Sequence, residues 1–163
     1  MGVADLCRRR SSIRAFTQEA VSDREREEIT EAARWAATSN NRQARRFVMV
    51  EDPSRIRDMV DRASMQDFVG EAGLLVFGVA TEKGGRGAIM DVVISMTQME
   101  MAAVELGLGT IWLGSWDREV ISEMLGVPGE MEVVVGMAIG HARDEGAPRD
   151  KLPHEVLFSW DRM

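Results

Sequence analysis

A single domain of alternating helices and strands is what this chain predicts, and three observations carry the prediction. Its 163 residues are 45 % hydrophobic and 29 % charged, enough for one core and ordinary for a globular protein. Apolar residues recur at helical spacing in several segments, and short apolar runs that read as strands fall between them. No internal repeat and no dividing linker is visible, so residues 1–163 are expected to form one domain.

The elements follow in order. Cys7 is expected as a buried or half-buried apolar residue of a first helix. Ser22 and Glu25 have the spacing of a capping box, opening a helix to Ala37 with Ile29, Ala32, Ala33 and Ala36 on one face. Thr38-Ser39-Asn40-Asn41 is polar and reads as a loop. Phe47–Val50 reads as a strand. Asp52-Pro53 starts a second helix, with Ile56, Met59, Val60 and Ala63 on its apolar face. Leu74–Ala80 is apolar nearly throughout, as a strand buried on both faces would be.

Lys83–Gly87 lacks the GxxxxGK[ST] spacing of a triphosphate-binding loop and reads as a surface turn. Ala88–Leu106 is apolar almost all the way round, so the helix is either wholly core or shared between the core and a partner subunit. Thr110–Leu113 reads as a short strand leading into Gly114-Ser115. Asp117 caps a helix that closes at Gly126, and Met131–Ile139 is a long strand. The polar arm 143–163 ends in Leu157, Phe158 and Trp160, which need a surface to cover them.

Charge and composition narrow the function classes. The net charge is −7 and the pI about 4.9, which argues against a nucleic-acid binder. One cysteine leaves no intrachain disulfide, and the two histidines, His141 and His154, lack metal-ligand spacing; surface or capping roles are expected for both, and no metal. Residues 1–10 have no apolar core, and the most apolar stretch carries Asp91, Glu100 and Glu105. The expectation is a soluble, cytoplasmic protein without a signal peptide or membrane span. Against this acidic background, Arg8–Phe16 (RRRSSIRAF) stands out. It is either a solvated basic patch or a grip on a phosphate, for which arginine forks and serine hydroxyls are suited.

Several motifs, in order along the chain, resemble the nitroreductase family of flavin-dependent oxidoreductases. They are Arg10, Ser12 and Arg14 followed by Phe16; the loop from Thr38 to Gln43; MEMAAVELGLGTIWLGSW at residues 99–116; the strand Val133–Gly140; and Arg149-Asp150-Lys151-Leu152. The resemblance implies an α+β, three-layer α-β-α fold on a mixed, mainly antiparallel sheet, forming a homodimer with exchanged C-terminal arms (143–163).

It implies FMN as cofactor and NADH or NADPH as electron donor. Arg10, Ser11, Ser12 and Arg14 would hold the flavin phosphate, with Arg149 and Lys151 closing the same site; Arg8 and Arg9 would be solvated. Backbone groups of Gly114 and Ser115 would face flavin N5, with no side chain needed as a nucleophile, and Trp112 and Leu113 would pack along the ring. Thr38, Ser39, Asn41 and Gln43 would reach the flavin across the dimer interface. The implied reaction is ping-pong hydride or electron transfer through N5 to a nitroaromatic, quinone or similar small electrophile. A non-catalytic flavin-binding module on the same fold is the alternative. Two departures stand out: Gln43-Ala44-Arg45 replaces the family's Gln-Pro-Trp, and the stretch from Val60 to Leu74 is short. Arg45 would then meet an anionic substrate, meet the nicotinamide cofactor's phosphates, or face solvent.

Overall fold

A computed structural model describes residues 2–147 and 149–163. Four strands form one sheet in the order β1-β2-β4-β3: β1 (Arg45–Val50), β2 (Leu74–Ala80), β3 (Gly109–Leu113) and β4 (Glu132–Gly140). Every pairing between these strands is antiparallel. The sheet is therefore antiparallel rather than mixed, and one isolated parallel bridge, Ser12 to Thr110, sets the N-terminal segment beside β3. The described residues form six α-helices, α1 (Val3–Arg9), α2 (Asp23–Arg34), α3 (Pro53–Arg62), α4 (Arg86–Glu105), α5 (Arg118–Leu125) and α6 (His154–Leu157), the last on the exposed C-terminal arm.

The period-two alternation of β2 builds the three layers. Leu74, Val76 and Ala80 face a core shared with α2 and α4, while Leu75, Phe77 and Val79 face a core shared with α3 and α5. Gly78 lies on the α4 side. A Cβ there would sit 2.4 Å from Val92 Cγ1 and 2.7 Å from Met96 Sδ, so the missing side chain lets α4 press onto the sheet. The capping signals act as their residue types dictate: Ser22 and Glu25 form the reciprocal box on α2, Asp52 caps α3, and Asp117 accepts from two backbone N–H groups of α5. Gly126 closes α5 in the left-handed region at φ 66°.

α4 has the length and mean hydropathy, 1.2, of a membrane-crossing helix. It nevertheless packs against α2 and the sheet, with Asp91 and Glu100 both buried. Met90, Val93 and Ile94 remain exposed on its outer side.

Three further sequence expectations need correction. Cys7 is exposed, with its thiol 3.9 Å from Met101 Sδ, because Leu6 is the residue that α1 buries. α2 ends at Arg34 rather than Ala37, and β1 begins two residues early, at Arg45. These shifts share a cause. Arg45 is only 7 % exposed, and its Nη2 donates to Ala33 O at 3.0 Å and Ala36 O at 3.2 Å. Arg45 thus satisfies carbonyls at the end of α2, where a cation is also favoured by the helix dipole. It is therefore a buried group rather than a solvent-facing one.

Candidate functional site

The segment from Arg10 to Phe16 lies against the sheet edge, and its apolar residues put it there. Ile13 is buried over β3 and Phe16 is fully buried. Backbone bonds fix the register: Ile13 N donates to Thr110 O at 2.9 Å, Thr17 N to His141 O at 3.0 Å, and Arg143 N to Ala15 O at 3.0 Å. Gly109 permits the close approach, since a Cβ there would lie 2.8 Å from Ile13 Cγ1. With Ser12 bridged in parallel to Thr110, residues 10–14 run alongside the strand that leads to Gly114.

A cavity opens at each end of this ribbon. The larger, about 570 Å³, is lined at the N-terminal end by Arg9, Arg10, Ser11 and Thr110 and across from them by His141 and Arg143. The smaller, about 140 Å³, is lined by Arg14, Gln66, Trp112, Gly114 and Ser115. Over four extended residues the backbone advances about 13 Å, and Arg10 and Arg14 accordingly line two different cavities. Alternation had placed Arg10, Ser12 and Arg14 on one phosphate; the structure brings together only the first two, with Arg10 Nη1 donating to Ser12 Oγ at 3.3 Å.

Beneath Arg10 lies Glu100 of α4. Its Oε1 accepts from the Thr110 hydroxyl at 3.1 Å and stands 3.7 Å from Arg10 Nη1. On the far side, His141 Nε2 lies 3.9 Å from Glu25 Oε2. The Glu25 carboxyl is held below its ordinary range, chiefly by the Ser22 hydroxyl and further by the Ser22 N–H and the nearby imidazole.

The loop from Thr38 to Gln43 is anchored from below and open above. Asp91 Oδ1 accepts from Ser39 N at 3.1 Å, while its buried Oδ2 has no hydrogen-bond partner among the described residues. Thr38 Oγ1 accepts from Gln43 N at 3.2 Å. Asn40, Asn41 and Gln43 all adopt positive φ, and the side chains of Ser39, Asn41 and Gln43 are exposed. Trp112 is half-buried and Leu113 buried. Arg149 and Lys151 are exposed and line neither cavity.

The sequence suggested a solvated Arg9 and a surface or capping His141, and it assigned Arg143 and Glu100 no place in the site. Glu100 had a readable signal, a charge on the inner face of an otherwise apolar helix. Arg9 lines the cavity as the immediate neighbour of Arg10, and His141 and Arg143 do so through chain crossings that leave no mark on local spacing. Arg8 is solvent-exposed as expected, paired with Asp5 at 2.8 Å.

Fold and site together define an α+β protein with two cavities along one ribbon, one lined by Arg9, Arg10 and Arg143 together with Asp144 and Glu145, the other rimmed by a glycine turn. The chain belongs to the nitroreductase family, whose model matches residues 7–72 and 62–141. It is 29 % identical to an NADPH-dependent oxidoreductase of Staphylococcus haemolyticus over 96 % of this chain and 72 % of that one. It is 26 % identical to an FMN reductase (NADPH) of Bacillus subtilis, over 90 % of this chain and 68 % of that one. The solved structure of NfrA2 from B. megaterium superposes with a TM-score of 0.90 at 26 % identity, covering 100 % of this chain and 76 % of the other.

Proposed function

We propose that this protein is an FMN-dependent NAD(P)H oxidoreductase whose flavin lies along residues 10–14 and β3. The observation that carries the reading is the pair of cavities joined by one ribbon. Arg10 and Ser11 line the cavity where a terminal phosphate needs charged and polar donors, with Ser12 Oγ 3.3 Å from Arg10 Nη1, and Arg14 stands with Gly114 and Ser115 where the polar edge of a ring would lie. Nothing lies within 4 Å of where a Cβ of Gly114 would project, so that turn is open to a planar group. Names of relatives support the cofactor and the donor: FMN reductase (NADPH) and NADPH-dependent oxidoreductase.

The chemistry FMN supplies when bound is acceptance of a hydride from NADH or NADPH and its delivery, as hydride or single electrons, to a second substrate. The protein contributes position and polarity. Backbone N–H groups of Gly114 and Ser115 face developing negative charge at the ring edge, and the Arg14 guanidinium stabilises the same edge. Trp112 and Leu113 shape the floor. The second substrate is a nitroaromatic, quinone or similar small electrophile, admitted over the short 3₁₀ turn at Asp67–Glu71.

The working form is a homodimer. Met90, Val93 and Ile94 leave an apolar stripe on α4, and Leu157, Phe158 and Trp160 are exposed on the arm. Thr38, Ser39, Asn41 and Gln43 then meet the partner's flavin, and Arg149 and Lys151 close the phosphate end once the arm is seated.

Anaerobic mixing of the yellow protein with NADH or NADPH tests the enzyme reading. Rapid bleaching of the flavin is expected. A flavin that dithionite bleaches and neither nicotinamide touches would favour a flavin-binding module without turnover.

A further inference from the structure

Glu100 places a negative charge under the cationic end of the cleft, where an anion is to be held. It is 5 % exposed, so its carboxylate is stripped of most of its water. Its Oε1 is shared between the Thr110 hydroxyl at 3.1 Å and the Arg10 guanidinium at 3.7 Å, and Arg10 in turn reaches Ser12 Oγ. We propose that Glu100 sets how tightly the site holds a phosphate: it fixes Arg10 beside Ser12 and cancels part of the charge that the phosphate meets. This rests on the phosphate lying at Arg10 and Ser12.

One geometry thus has two effects of opposite sign. A guanidinium held in place loses less freedom when an anion binds, which favours binding. A carboxylate beside that guanidinium repels a phosphate dianion arriving on its other side, which opposes binding, and the shielded surroundings strengthen the repulsion. Position and charge can be separated. Glutamine keeps the length of the side chain and an oxygen that accepts from Thr110, yet carries no charge. Valine at position 110 does the reverse: the carboxylate keeps its charge and loses the hydroxyl that shares it, so it bears more fully on Arg10.

The test titrates flavin-free protein with FMN and with riboflavin, which has the same ring and ribityl chain without the phosphate. Glu100→Gln should tighten FMN about tenfold and leave riboflavin nearly unchanged. Thr110→Val should weaken FMN several-fold, again with little change for riboflavin. A residue that only braced the fold would make both variants lose both flavins alike. The proposal is overturned if Glu100→Gln lowers the FMN preference or leaves it unchanged. Should that variant not fold, Thr110→Val decides: selective loss of FMN supports the proposal, and equal loss of the two flavins overturns it. Arg10→Ala checks the underlying placement separately, because an unchanged FMN preference there means that the phosphate lies elsewhere.

Discussion

Two segments that carry cations beside large apolar residues, Arg10–Phe16 and Arg149–Met163, are alike in sequence and opposite in structure. Each combines arginine or lysine with large apolar residues. The first is bound into the sheet edge by Ile13, Phe16 and a set of backbone bonds to residues 110 and 141–143. Among the described residues the second has only local backbone bonds, such as Phe158 N to His154 O at 3.0 Å, and leaves Trp160 82 % exposed. One chain therefore supplies one side of the cleft by itself. The other segment leaves Leu157, Phe158 and Trp160 exposed.

Deleting the unanchored segment should have the largest effect. Cutting after Arg149 removes Lys151 and the apolar anchors. A smaller species in sedimentation, a lower melting temperature and poor FMN retention are expected together. A truncated protein that stays dimeric and yellow would make the arm a mere tail. Phe16→Ala attacks the anchored segment instead. Emptying a fully buried aromatic site should cost about 3–5 kcal/mol of unfolding free energy, measured by urea titration. A cost below 1 kcal/mol would mean that the ribbon is not held through Phe16.

Much of this contrast was legible in the sequence. The helices at Ser22, Asp52 and Asp117 announce themselves because caps and apolar faces are local features. The arm's exposed Phe158 and Trp160 were likewise readable as groups in search of cover. Arg45 was not legible: nothing local tells a buried cap on the end of α2 from a surface cation. The division of labour between Arg10 and Arg14 was hidden for a similar reason. Alternation gives the face of a strand, and which cavity each residue meets depends on the register against β3.

Smaller changes sharpen the comparison within the anchored segment. Arg10→Ala should weaken FMN binding by roughly 1.5–3 kcal/mol, the loss of a charge-assisted contact in a partly shielded site. Arg14→Ala should weaken riboflavin as well as FMN, and Arg8→Ala neither; titration of all three variants with both flavins checks the order. Equal losses for Arg14→Ala and Arg8→Ala would mean that the ring end is misplaced.

Ser22→Ala should cost about 1 kcal/mol at neutral pH, the usual value of an N-cap. The Ser22 contacts lower the Glu25 pKa, so the stability they add is fully present above the ordinary carboxyl value of 4.5. It fades as the pH falls through the lower folded value. Melting curves of wild type and variant should therefore converge in acid. A gap that stays constant would assign the stability to the cap alone.

The central claim is that the cavities along the Arg10–Arg14 ribbon and β3 hold a flavin that ends in a phosphate. Heating the purified protein and identifying the released cofactor by mass tests it most directly. FMN, one per chain, is the result expected. Recovery of FAD, or failure of the flavin-free protein to take up any flavin, would contradict it.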